Sequence, residues 1–175
     1  MQKNLFLWQF FGLTFAFLFG TLFHFLYIWT DVIAFAPFCA VNESTWEHMK
    51  ILFFPMLIFA FIQRPFFKRN YPQYWAIKCL GIVTGITLIP ILFYTYNGAF
   101  GASPTFVNIL FFFLADAAGF ALEWYLFRKN KLQNIRSVLP LLVLVLLAVL
   151  FVVFTFRPPT LPLFQDPQTL LYGIV

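Results

Sequence analysis

Charge is scarce in this chain: Asp, Glu, Lys and Arg together make up 10% of its 175 residues. A soluble domain carries about a quarter, so water is not the solvent for most of this surface. Cysteine is nearly absent as well. Cys39 and Cys79 sit in no CxxC or Cys/His spacing, which excludes a disulfide scaffold and a zinc-finger-type site. No glycine-rich phosphate loop, HExxH or HxxxH occurs. Ser44 and Ser103 read as helix caps rather than nucleophiles, so no hydrolase triad is legible.

Apolar side chains are abundant, at 62% hydrophobic residues with 28 Phe and a mean hydropathy of +0.87. A helix needs about 20 apolar residues to cross the hydrocarbon core of a bilayer. Five stretches have that length, 5–29, 44–62, 74–96, 104–127 and 138–156. The expected fold is therefore all-α: a polytopic membrane helix bundle with five transmembrane helices, forming a single integral membrane domain over residues 1–175. The first stretch is too long for a signal-peptide core and lacks a small-x-small cleavage site. Residues 32–41 are apolar but short and contain Pro37, which suits an interfacial or re-entrant segment. Prolines 158, 159, 162 and 167 prevent the tail from forming a sixth continuous span.

The net charge of +5 reports membrane orientation rather than nucleic-acid binding. Lys3, Arg64, Lys68, Arg69, Lys78, Arg128, Lys129, Lys131 and Arg136 fall at one set of helix ends, and only Lys50 and Arg157 at the other. That asymmetry places the N-terminus in the cytoplasm and the C-terminus outside, in an inner or plasma membrane. Cys39 and Cys79 then lie at opposite faces, too far apart for a disulfide, and are expected as free thiols.

Local chemistry marks several boundaries. Ser44-Thr45-Trp46-Glu47 has the capping-box pattern, and Ser103-Pro104 reads as N-cap and N1 of the fourth helix. Pro55 and Pro90 should loosen their spans. Gly81 and Gly85 form a small-xxx-small face, read as close intramolecular packing in preference to dimerisation. No internal repeat is visible, which weakens the case for an inverted-repeat transporter. Trp29, Trp75, Trp124 and similar end residues suit interfacial aromatic belts.

The polar residues collect at the ends assigned to the outside. They are Asp31, the run 42–50, the run 94–98, residues 157–160 and residues 164–167. On helix geometry His24 and Lys50 each lie about 9 Å inside that face, and Asp116 about 18 Å inside, near the midplane. A midplane carboxylate needs a partner, and Lys50 and His24 are nearest by depth. Glu123 should pair with Arg128 or Lys129. Continuing the second helix backwards puts Glu43, Glu47 and Lys50 on one face, with His48 about 100° away. Two carboxylates one turn apart can hold a metal or act as acid and base. The competing readings are Glu47 as the capping-box acid and Glu43 as a complement to the helix dipole. His24 and His48 could ligate haem, or a metal with Glu47, or simply bond to a carbonyl or carboxylate. Tyr94, Tyr96 and Asn97 add hydroxyls and an amide nearby. The candidate ligand-binding set is Asn42, Glu43, Glu47, His48, Lys50, Tyr94, Tyr96, Asn97, Asp116, Arg157 and Asp166.

Val41-Asn42-Glu43-Ser44-Thr45-Trp46-Glu47-His48-Met49-Lys50, followed by Phe53-Phe54-Pro55, resembles the signature of a family of small multi-pass bacterial membrane proteins of unknown function. The segments 90–98 and 163–167 with 172–174 resemble its other two motifs, and the likeness spans nearly the whole chain. The family form has Thr-Gly where Asn97-Gly98 stands and Gly where Leu170 stands. The resemblance implies the same membrane fold and supplies no activity. Three functions fit: an extracytoplasmic pocket that binds, or as an enzyme acts on, a lipid or small solute; a transport or substrate-capture subunit; or a structural or partner protein. In the last, the polar cluster locks the Pro-rich tail, with Arg157 and Asp166 pairing with Glu47 or Lys50.

Overall fold

Five helices carry the fold: α1 (Gln2–Thr30), α2 (Thr45–Phe67), α3 (Tyr74–Phe100), α4 (Thr105–Arg128) and α5 (Val138–Phe156). The computed structural model describes residues 2–135 and 138–174, with the side chains of Gln2 and Lys3 left out. Two residues of the basic-loop count, the Lys3 side chain and Arg136, therefore lie outside the described residues. All five helices are long and apolar enough to cross a membrane. The described residues form no strand, only an isolated bridge between Gln165 and Tyr172.

α2 sits centrally. It packs against α1 and α3, while α4 lies against α1 and α3, and α5 flanks α3 and α2. Leu52, Phe53, Met56, Phe120 and Phe151 are fully buried at the centre of the core. α2 runs five residues beyond the expected end at 62, through Pro65 to Phe67. The polar residues that suggested an end are absorbed. Gln63 is buried, and the Tyr74 hydroxyl donates to the Ala60 carbonyl at 2.6 Å. α3 likewise continues past 96 to Phe100, where Gly101 (φ 84) turns the chain out of the helix.

Glycines allow close approaches between helices. Pro55 has no N–H, so the Ile51 carbonyl loses its helical donor. α1 crosses there at Gly20, where a Cβ would come within 3.0 Å of that oxygen. A Cβ on Gly85 would lie 3.2 Å from the Ala115 carbonyl, and one on Gly119 2.8 Å from the Gly81 carbonyl. The small face of α3 is therefore used inside the chain, against α4.

The connections are also ordered. Residues 32–44 turn back along α1, and the Ala40 N–H donates to the Phe23 carbonyl at 3.0 Å. Phe23 is seven residues before the end of α1, so the segment returns by about 10 Å. After α5 the tail folds over the start of α2, with the Trp46 ring packed against Phe151, Phe154 and Phe164. Leu170 adopts φ 61 in this tail, a left-handed conformation that glycine tolerates best. At the start of α4 the expected caps shift by one residue: Pro104 is the N-cap, and the Ser103 hydroxyl bonds Asn108 at 2.6 Å instead of capping.

One end of the bundle brings together Lys50 of α2, Thr155 of α5 and the 32–44 segment. It is called the histidine end below. The opposite, basic-loop end joins Gln73 to Asn130 and Tyr74 to Ala60.

Candidate functional site

The polar residues of the histidine end divide into two groups that sequence spacing had merged. The first is dry. Glu47 and Lys50 are 2% and 0% exposed and form an ion pair at 2.5 Å. The Lys50 ammonium also donates to the Ala36 carbonyl and the Thr155 hydroxyl, both at 2.8 Å. All three of its protons are thus taken, and α2, the 32–44 segment and α5 are tied together. Glu47 further accepts the Val41 N–H at 3.1 Å. This geometry corrects the capping-box reading. Ser44 does accept the Glu47 N–H, at 3.4 Å, but the Ser44 N–H donates to Asn42 and not to the Glu47 carboxylate, which turns inward.

The tail completes this group. Asn42 donates to the Gly173 carbonyl at 2.7 Å. Asp166 accepts the N–H groups of Gln168, Thr169 and Glu43 at 2.7, 3.2 and 3.2 Å. The expected pairing of Arg157 and Asp166 with Glu47 or Lys50 does not form. Asp166 is engaged by backbone donors, Glu47 and Lys50 have each other, and Arg157 is exposed. Cys39, within the 32–44 segment, is buried and free. Burial pushes its thiol up to about 11, so it is no reactive thiolate at neutral pH.

The second group is His24, Glu43 and His48. Glu43 oxygens lie 3.6 Å from His24 Nε2 and 3.7 Å from His48 Nε2, with the three side chains 21–31% exposed. The imidazole centroids are 5.2 Å apart, and one ligand atom from each residue falls within 4.8 Å of the other two. His48 Nδ1 lies 2.9 Å from the Ser44 carbonyl. A carbonyl only accepts, so this nitrogen carries the proton. Glu43 is the residue that sequence reasoning misplaced. It precedes the N-cap Ser44, so the 3.6-residue period does not set its direction. Its side chain leaves the Glu47–Lys50 face and turns to the histidines, taking the place expected for Glu47.

Tyr94, Tyr96 and Asn97 stand apart from both groups. The Thr45 hydroxyl reaches Tyr94 at 3.5 Å. The Tyr96 ring packs tilted on Phe100 and edge-to-face on Phe111, and Asn97 accepts the Ser103 N–H. Tyr96 and Asn97 serve the α3–α4 connection, and Tyr94 meets the start of α2.

Asp116 belongs to neither group. It is fully buried, and both carboxylate oxygens lack a hydrogen-bond partner among the described residues. Its charged neighbours are Lys78 and Glu123, not Lys50 or His24, because Lys50 is already saturated at the other end of its own network. Lys78 pairs with Glu123 at 2.5 Å, and its ammonium lies 5.1 and 5.6 Å from the Phe120 and Phe59 ring centroids. Glu123 thus pairs across helices rather than with Arg128 or Lys129, and Arg128 instead covers the Trp124 ring. Lys78, one of the charges assigned to the cytoplasmic helix ends, is inside the bundle and 0% exposed. An apolar groove of about 230 Å³, lined by Phe6, Gln9, Leu13, Phe120 and Trp124 among others, runs between α1 and α4. It is not at the histidine group.

Five long apolar helices packed around a buried apolar core define a bundle of the multi-pass membrane type. Within that class the chain belongs to a family of unknown function, DUF6512, whose family model matches residues 1–174. Comparison with the curated proteins and with the solved structures returns no match.

Proposed function

We propose that this is a bacterial cell-membrane protein whose histidine end faces the outside and binds a small cationic solute, or the cationic headgroup of a lipid, between His24, Glu43 and His48. One observation carries this reading. Among the described polar side chains of that end, these three converge and remain partly exposed, whereas Glu47, Lys50 and Asp166 are buried and engaged. A carboxylate with no lysine or arginine against it, flanked by two imidazoles, attracts a cation and repels a bare anion. The basic-loop asymmetry supports an outward histidine end.

The remainder of the polar layer favours a second role that coexists with the first. The Asn42–Gly173 and Glu43–Asp166 bonds and the Trp46–Phe164 contact lock the tail over α2. Binding and locking separate in thermal unfolding of the detergent-solubilised protein. Glu43→Gln should keep the wild-type Tm and lose stabilisation by added cationic solutes. If it unfolds like a Glu47 variant, the whole layer is a lock. Maleimide labelling of Leu161→Cys in intact cells tests the orientation, since Leu161 is exposed and both natural cysteines are buried.

A further inference from the structure

Building on the binding role proposed for the His24–Glu43–His48 cluster, we infer that its occupant is a divalent transition-metal cation of the zinc type. His24 Nε2, His48 Nε2 and one Glu43 oxygen would hold it, with at least one coordination position open on the exposed side of the cluster. Three independent features lead there.

The first is spacing. Metal–ligand bonds of about 2.0–2.1 Å in a tetrahedron put ligand atoms about 3.3 Å apart. Glu43 Oε1 lies 3.6 Å from His24 Nε2 and Oε2 3.7 Å from His48 Nε2, and one ligand atom from each residue falls within 4.8 Å of the other two, so a modest inward shift of the side chains completes the geometry. Glu43 lies outside the helix and can make that shift without moving α2.

The second is the proton on His48. Its Nδ1–H is directed at the Ser44 carbonyl. Nε2 is thereby the nitrogen left facing the Glu43 carboxylate, 3.7 Å away, so an imidazole nitrogen and a carboxylate oxygen converge on the same space. The Nδ1–H to carbonyl bond is also the outer-shell contact that orients metal-ligating histidines and fixes their tautomer.

The third is the chemistry of the donors. Two imidazoles and one carboxylate suit zinc and its first-row neighbours, whereas Mg²⁺ and Ca²⁺ prefer all-oxygen sites. The supports are fixed: Ser44 caps α2, the Glu43 N–H is held by Asp166, and His24 rises from α1. Nδ1 of His24 has no partner among the described residues. The site therefore lacks one outer-shell contact, each of which is worth about 10–100-fold in affinity, and an exchangeable metal is expected rather than a permanently bound one.

The test uses the full chain, purified in detergent without a polyhistidine tag and stripped with EDTA. Zn²⁺ alone is titrated calorimetrically, with Mg²⁺ as the comparison, and Co²⁺ is followed by its visible absorption. One equivalent of Zn²⁺ should bind, Mg²⁺ should not compete, and Co²⁺ should give tetrahedral d–d bands. Glu43→Gln and His48→Ala should weaken Zn²⁺ binding by well over tenfold at an unchanged metal-free Tm. Should His48→Ala fail to fold, His24→Phe takes its place. Substoichiometric Zn²⁺, or full binding by these variants, overturns the inference. Ethanolamine is titrated in parallel. If it stabilises the wild type but not Glu43→Gln while Zn²⁺ fails to bind, the metal is wrong and the cation-binding cluster stands. If neither binds, both are wrong.

Discussion

Lys50 and Lys78 are both fully buried, each 2.5 Å from a glutamate, yet their surroundings are opposites. Lys50 directs its three protons to Glu47, the Ala36 carbonyl and Thr155. Lys78 has one carboxylate and two aromatic faces, and beside it Asp116 and one Glu123 oxygen have no hydrogen-bond partner. The first is a closed network joining three segments of chain. The second is an open one between α3 and α4, with a spare carboxyl. A buried charge is tolerated when its bonds are complete, so the two lysines should respond differently when a partner is removed.

The largest effect should come from the closed network. Glu47→Ala leaves the Lys50 ammonium buried and without its counter-charge, which should destabilise the protein by about 3–5 kcal/mol, read as a lowered unfolding midpoint in detergent. In the open network Glu123→Gln should cost clearly less, because Asp116 is at hand as a substitute counter-ion for Lys78. Combining it with Asp116→Asn should then cost more than the two single changes summed, and strict additivity would show that Asp116 does not serve Lys78.

Gly81→Ala probes the same place by volume. The new Cβ would run into the Glu123 side chain, an overpacking that should destabilise by about 1–3 kcal/mol. A wild-type midpoint would mean that α3 and α4 are further apart than described. The smallest effect is a gain. Leu170 is 64% exposed and held at φ 61, so Leu170→Gly should stabilise by up to about 1 kcal/mol through relief of left-handed backbone strain. A loss of stability there would mean that the Leu170 side chain, not its backbone, secures the tail.

The same contrast explains what was legible in the sequence. The spans were, because hydrocarbon thickness fixes their length; α5 ends at Phe156, the expected residue. The small face of Gly81 and Gly85 was legible too, since only close packing requires it. Partner choice was not. Depth along a helix follows from residue count, but the direction around the axis and the neighbour met there depend on tertiary packing. Asp116 and Lys50 were therefore paired by level although each had a nearer partner. Lys78 was read only as an orientation-reporting charge at a helix end, because residue count does not show which way a side chain near that end faces. Glu43 was placed by helical periodicity one residue before the N-cap, where periodicity does not hold.

The division of the histidine end into a lock and a binding cluster is tested most directly by measuring Zn²⁺ affinity and unfolding midpoint together on two charge-removing variants, Glu43→Gln and Glu47→Gln. Opposite patterns are expected: Glu43→Gln loses Zn²⁺ binding and keeps its midpoint, whereas Glu47→Gln unfolds earlier and still binds Zn²⁺ while folded. If both variants lose stability equally and neither changes Zn²⁺ binding, the division is wrong.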